Sequence, residues 1–277
     1  MKTAAQWKLY YAEERAALGT EGLAARLDRA LDITIPPRGA LVFPHTRLAV
    51  SGDLTAAVAL AALRSGARDV LALGVLHGGP QAEVAGVARA KAGDPAARSA
   101  LRRVYAADDP FCAEEFSLDN FAALLALAAA RQGVAPPRVH ARFPFLVGDN
   151  PSDLPGLQEL EDLTARMPVV ATTDPLHHGV GYGTPEGQRH GMFEEDSASW
   201  ARSCIQRQLD LLSKGDWTAF AQLAAQERSD FRDVGPVLGH LLRGAKGEVL
   251  DVRLVDYAEV LGAAEPTWVA APLMRLG

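Results

Sequence analysis

Leu41-Val42-Phe43-Pro44-His45, Val70-Leu71-Ala72-Leu73-Gly74-Val75-Leu76-His77 and Val169-Val170-Ala171-Thr172-Thr173-Asp174-Pro175-Leu176-His177-His178 are three short apolar runs, each leading into histidine. Strands buried on both faces read as continuous apolar runs, which points to a parallel sheet covered by helices. Open α/β sheets bind ligands beyond the carboxyl ends of their strands. Histidine is the commonest metal ligand and titrates nearest neutrality. The three histidine positions therefore predict one shared pocket.

Working outward, residues 3–31 read as helix, divided at Gly19 and Gly22, with Leu18, Leu23, Leu27 and Leu31 on one face. Strand 39–43 follows Pro36-Pro37, and a helix over 54–63 starts near Ser51-Gly52-Asp53, with Ser51 or Asp53 as its cap. Strand 70–76 completes a strand–helix–strand unit, which places the His45 and His77 strands side by side. Residues 81–110 read as a surface excursion with one or two short helices. Further on come a helix over 121–131, a strand over 139–147, a helix over about 155–166 and a strand over 168–173.

Residues 181–187 read as a Gly-rich loop. Helices are expected at about 196–214, 216–226 and 236–243, then strands over 249–257 and 267–271. The alternation predicts a single α/β domain over 1–277, with a mainly parallel sheet flanked by helices and a cleft at the strand carboxyl ends.

Composition narrows the function classes. The chain has 277 residues, a net charge of -6 and no basic stripe, which argues against nucleic acid as a partner. The first 18 residues are charged and lack the apolar core of a secretory signal, and no uncharged stretch approaches the ~18 residues of a membrane span. Cys112 and Cys204 are too few for a disulfide framework or a cysteine-rich zinc site. A cytoplasmic protein is expected. Phosphate-loop, dinucleotide and Gly-x-Ser-x-Gly signatures are absent, which removes several common α/β enzyme classes.

Two histidines and a carboxylate on a divalent metal leave positions open for substrate and oxygen. His45 and His77 are the natural pair. In Asp174-Pro175-Leu176-His177-His178-Gly179, a carboxylate can orient a histidine for acid–base work. Glu114 and Glu115 suit a helix start electrostatically, and His140 and His240 read as structural.

Phe43-Pro44-His45, separated by five residues from Ser51-Gly52, resembles the Pro-His…Ser-Gly opening of the Memo-like proteins, relatives of class III extradiol ring-cleaving dioxygenases. Leu73-Gly74-Val75-Leu76-His77, Glu115-Phe116-Ser117-Leu118-Asp119, Phe145-Leu146-Val147-Gly148 and Thr173-Asp174-Pro175-Leu176-His177-His178-Gly179 are similar to further family segments in the same order. Gly235-Pro236-Val237 and Leu254-Val255-Asp256-Tyr257 echo two C-terminal landmarks.

The resemblance spans about residues 38–272 and implies an α/β sheet with a metal cleft. It implies His45 and His77 as metal ligands, His177 as the acid or base and Asp174 as its companion. The metal expected is iron(II), with copper or zinc as alternatives. Phe116 stands at a family histidine, and residues 262–264 replace a family cysteine. For the third ligand Glu265 is the first candidate and Glu259 the second. Two functions follow from the resemblance: a non-haem iron(II) dioxygenase acting on a small aromatic or related molecule, or a non-catalytic binder of a ligand or protein partner with a degenerate metal site.

Overall fold

A computed structural model describes residues 2–79, 83–146 and 150–277. Val147 and Gly148, at the end of the strand expected over 139–147, lie outside the described residues, as do residues 81 and 82.

The described strands are β1 (Ala40–Phe43), β2 (Asp69–Leu73), β3 (Arg103–Ala106), β4 (Arg138–Phe145), β5 (Val169–Thr172), β6 (Leu176–Gly179), β7 (Gly247–Asp256) and β8 (Thr267–Leu276). Their order is β3-β4-β2-β5-β1-β8-β6, with β7 along the other edge of β8. β4, β2, β5 and β1 run parallel, as the apolar runs predict, and antiparallel pairs flank them. β1 and β2 are not neighbours. β5 lies between them, because the chain skips one strand position after β1 and fills it on the way back.

Side-chain alternation sorts the core into two layers. Leu41, Phe43, Val70, Ala72 and Val170 face the layer of α1 (Ala4–Asp28), α2 (Leu48–Arg64) and α5 (Asp119–Gln132). Ala40, Val42, Leu71, Leu73, Val169 and Ala171 face α6 (Leu157–Thr164), α7 (Ser197–Lys214), α8 (Trp217–Gln226) and α9 (Phe231–Leu241). Each fully buried leucine in these layers stabilises the fold by roughly 2 kcal/mol. The 81–110 excursion carries α3 (Val84–Lys91) and α4 (Pro95–Leu101), and it also returns β3 to the sheet edge. Short α10 (Ala258–Leu261) joins β7 to β8. Among the described residues no helix is long and apolar enough to cross a membrane.

Helix α2 begins six residues before the expected position. Its first N–H groups, on Leu48 and Ala49, donate to the two carboxylate oxygens of Glu14 at 2.9 and 3.1 Å. A negative charge at a helix N-terminus is favourable, so α1 supplies the cap that Ser51 and Asp53 were expected to provide. Ser51 instead bonds Thr46, Oγ to Oγ1, at 2.6 Å. Asp53, 6% exposed, receives a two-pronged bond from Arg253 of β7. Arg253→Met strands that carboxylate, and chemical denaturation is expected to show a loss of about 3 kcal/mol. A loss below ~0.5 kcal/mol would rank the pair with ordinary surface ion pairs.

Candidate metal centre

The parallel strands deliver their next residues to one place. His45 follows β1, His77 follows β2, Asp174 follows β5, and His177 is the second residue of β6. Asp230 arrives from the opposite layer, immediately before α9. Its Oδ2 lies 3.6 Å from His45 Nε2, 3.7 Å from His77 Nε2 and 3.5 Å from His177 Nε2. His45 Nε2 and His77 Nε2 are 3.1 Å apart, and Asp174 Oδ2 is 3.3 Å from His45 Nε2.

The far nitrogen of each ring fixes its tautomer. Thr172 spends its hydroxyl proton on the Phe43 carbonyl at 2.9 Å, so its oxygen accepts from His45 Nδ1 at 3.2 Å. His77 Nδ1 donates to Glu115 Oε1 at 3.0 Å, and His177 Nδ1 donates to the Arg228 carbonyl at 2.8 Å. In their neutral forms all three rings then aim an Nε2 lone pair at Asp230. Lone pairs and carboxylates gathered this closely repel one another until a cation joins them, either a proton or a metal ion.

The donor set fits a metal. Two ligand atoms bound at ~2.1 Å to one tetrahedral or octahedral ion lie roughly 3.0–3.4 Å apart. The 3.1 Å between His45 and His77 and the 3.3 Å between His45 and Asp174 fall in that range, and the 3.5–3.7 Å to Asp230 lie a few tenths of an ångström beyond it. Two groups have ligand atoms close enough to share an ion: His45, His77 and Asp230, and Asp174, His177 and Asp230. Asp230 belongs to both.

A second layer of hydrogen bonds makes the cluster rigid. The Glu115 carboxylate accepts from the backbone N–H groups of His77 (2.7 Å), Phe116 (2.8 Å) and Ser117 (2.9 Å) besides the His77 ring. The Asp230 N–H donates to the Asp174 carbonyl at 3.1 Å, and the His177 N–H donates to the Glu227 carbonyl at 3.1 Å. Gln208 donates to the Pro175 carbonyl and accepts from the Ser229 hydroxyl, whose oxygen also takes the Phe231 N–H. Ser229 thus holds the helix start and leaves the Asp230 carboxylate free for the cavity. Arg228, whose carbonyl orients His177, sits at a φ of 53°. That left-handed conformation is strained for a non-glycine residue, and such strain clusters at functional sites.

The charges respond to one another. Burial opposes protonation of His77, but Glu115 and Asp230 more than offset it and hold the ring up at about 9. Burial likewise opposes ionisation of Glu115, yet His77 and the N–H donors bring its carboxyl down to about 2. Asp230 is held well below the carboxylate range, against burial, by the imidazoles around it. Asp174 is pushed up by burial, only partly countered by His45 and His177.

The cluster forms one wall of a cavity of about 570 Å³. Trp7 and Tyr11 of α1 stack on each other, Tyr11 stacks on Phe116, and Phe116 stacks on His77 with ring centroids 4.3 Å apart. The hydroxyls of Tyr11 and Tyr257 meet at 2.7 Å. Tyr182 approaches the His177 ring edge-on at 4.9 Å.

Of the residues expected from sequence, His45, His77, Asp174 and His177 come together. Glu265 does not. It lies before β8, lining a separate cavity with Met192, Phe193 and Glu194, and Glu259 is in α10, in neither ligand group. The carboxylate within reach is Asp230, which the sequence alone did not single out. Glu115, expected only to suit a helix start, orients His77.

The other histidines face elsewhere. His178 packs among His190, Trp200 and Trp268 and accepts the His190 N–H, while burial brings its ring down to about 4. His140 pairs with Asp69, and His240 with Glu161. Cys112 and Cys204 are buried, which raises their thiols to about 12 and 11, far from nucleophilic. A scan against protein-family models returns no match, and a search of curated proteins also returns none.

Proposed function

We propose that this chain is a metal-dependent oxidoreductase of the Memo-like and extradiol dioxygenase type, with His45, His77 and Asp230 holding a divalent ion and His177 moving a proton. The observation that carries the reading is the convergence of imidazole Nε2 lone pairs on one carboxylate oxygen, each ring tied at Nδ1 to an acceptor. Two histidines and one carboxylate match the ligand pattern of non-haem iron(II) oxygenases. When bound, iron(II) supplies open coordination positions and a redox couple for oxygen chemistry.

The residues around the ion have distinct tasks. His177 Nε2 faces the cavity as a base, able to take the proton of a substrate hydroxyl. The imidazolium then formed lies 3.5 Å from Asp230 Oδ2 and close to Asp174, and the Arg228 carbonyl keeps the ring from turning. Trp7, Tyr11 and Phe116 offer flat apolar surface to a small aromatic or related molecule. The same residues exclude water and so strengthen every charge interaction at the centre.

A second reading, a ligand or partner binder without turnover, draws support from Phe116. This residue stands where the resemblance has a histidine, and its ring against His77 offers no proton or ligand atom. Anaerobic reconstitution with iron(II), zinc or copper, followed by metal analysis and an oxygen-electrode assay against catechols, separates the readings. The oxidoreductase reading expects about one iron per chain and oxygen consumption that His177→Asn lowers by roughly 10²–10⁴-fold. Metal binding without oxygen consumption leaves the binder. No metal in wild type, matched by an unchanged His45→Ala/His77→Ala variant, rejects both metal assignments.

A further inference from the structure

The cavity beside the metal cluster carries cations that the metal chemistry leaves unused. Lys91, the last residue of α3, donates from Nζ to the Leu76 and His77 carbonyls at 3.3 and 3.2 Å. Arg228 donates from its two terminal nitrogens to the Gln226 and Gly183 carbonyls at 3.1 and 2.7 Å. Both line the cavity, one beside His77 and one beside His177, and Lys2 lies at the same wall. Among the described residues none of the three forms an ion pair with a carboxylate.

The lining acids, Asp174 and Asp230, are turned toward the imidazoles. A divalent ion balances those two carboxylates. Behind Lys91, Asp233 is paired with Arg232 at 3.7 Å, so the two cancel. What remains is Glu115, saturated by N–H donors behind His77, against Lys2, Lys91 and Arg228. The loaded cavity is therefore positive. Lys91 and Arg228 make their hydrogen bonds to neutral carbonyls, and Lys91 also lies over the Phe145 ring. With no carboxylate in ion-pair contact, these cations keep field for a ligand.

We propose that the cavity takes a flat small molecule bearing an anionic group, carboxylate or phosphate, and that Lys91 and Arg228 recognise the anion while the aromatic wall receives the flat part. This rests on the metal reading, because without the divalent ion Asp174 and Asp230 cancel most of the positive charge. Each cation has N–H capacity beyond its carbonyl bonds, since an ammonium has three donors and a guanidinium five. Hydrogen bonds from charged donors are worth more than neutral ones, and discrimination follows from leaving them unmet. A neutral isostere therefore binds less well.

Calorimetric titration of the zinc-loaded protein with benzoate, phenyl phosphate and neutral benzamide tests this. At least one anion is expected to bind roughly tenfold or more tightly than benzamide, and the stronger of the two identifies the group. That preference is expected to fall to about twofold in Lys91→Met/Arg228→Met, partly in each single variant, and to persist in Lys91→Arg. The single variants keep the ratio readable should the double variant not fold.

Equal binding of benzamide overturns the proposal, as does an anion preference that survives in the folded variants, which would assign capture to the ion itself. Failure of all three probes up to about 10 mM also overturns it. Zinc content is measured on every sample. A wild-type protein that holds no zinc contradicts the metal reading instead, so the two failures are distinct.

Discussion

Asp230→Ala is expected to weaken divalent metal binding by more than about 100-fold, whereas Glu265→Ala leaves it unchanged. Asp230 is the carboxylate shared by both ligand groups, with its Oδ2 within 3.7 Å of the Nε2 atoms of His45, His77 and His177. Removing it leaves His45 and His77 without a carboxylate between them, and Asp174 alone does not replace it on the His77 side. Glu265 lines a different cavity. Competition titration with a chromophoric chelator reads both variants. An Asp230→Ala protein that binds as wild type does would return the third ligand to some other residue.

Glu115→Ala has the second large effect, on stability and on the metal together. Four N–H groups converge on this buried carboxylate, and stranding them is expected to destabilise the fold by about 3 kcal/mol. With its ring no longer fixed, His77 is expected to hold metal 10–100-fold less tightly.

The same pair sets a pH profile for the metal-free chain. Glu115 is depressed from 4.5 to about 2, so its contribution is whole above 4.5 and is lost as pH falls through 2. His77 is raised from 6.5 to about 9, so its contribution is whole below 6.5 and is lost as pH rises through 9. The Glu115–His77 interaction is common to both shifts and is complete between pH 4.5 and 6.5, while Asp230 adds to the rise of His77. Thermal unfolding of metal-free protein should therefore show a midpoint that declines from pH 6.5 to 9, and Glu115→Ala should make that decline shallower, leaving the part due to Asp230. Metal needs the unprotonated ring, so uptake at pH 7 is expected to release about one proton from His77. Calorimetry in buffers of different ionisation enthalpy measures that proton directly, and a buffer-independent enthalpy would contradict it.

Much of the fold was legible because β1, β2 and β5 are buried on both faces, which leaves no polar alternation to confuse the apolar runs. The same property exposed His45, His77, Asp174 and His177, since each follows such a run within a few residues. β3 was not legible. Arg103-Val104-Tyr105-Ala106 is a half-exposed edge strand whose identity depends on pairing with β4. β6 is short and carries two histidines, so its strand character comes from β8. The start of α2 was misplaced because its cap is Glu14, 34 residues upstream. Asp230 was hidden for a related reason. It reaches the site through the packing of α9 against the sheet, and in sequence it fell between the helices expected over 216–226 and 236–243, because Gly235-Pro236 hid the start of α9 at Phe231.

Anomalous diffraction from crystals of the iron(II)-reconstituted protein tests the metal assignment most directly. The expected result is a single strong peak per chain within about 2.3 Å of His45 Nε2, His77 Nε2 and an Asp230 carboxylate oxygen. A peak coordinated elsewhere, or no peak in protein shown to be folded and iron-saturated in its buffer, would contradict the account.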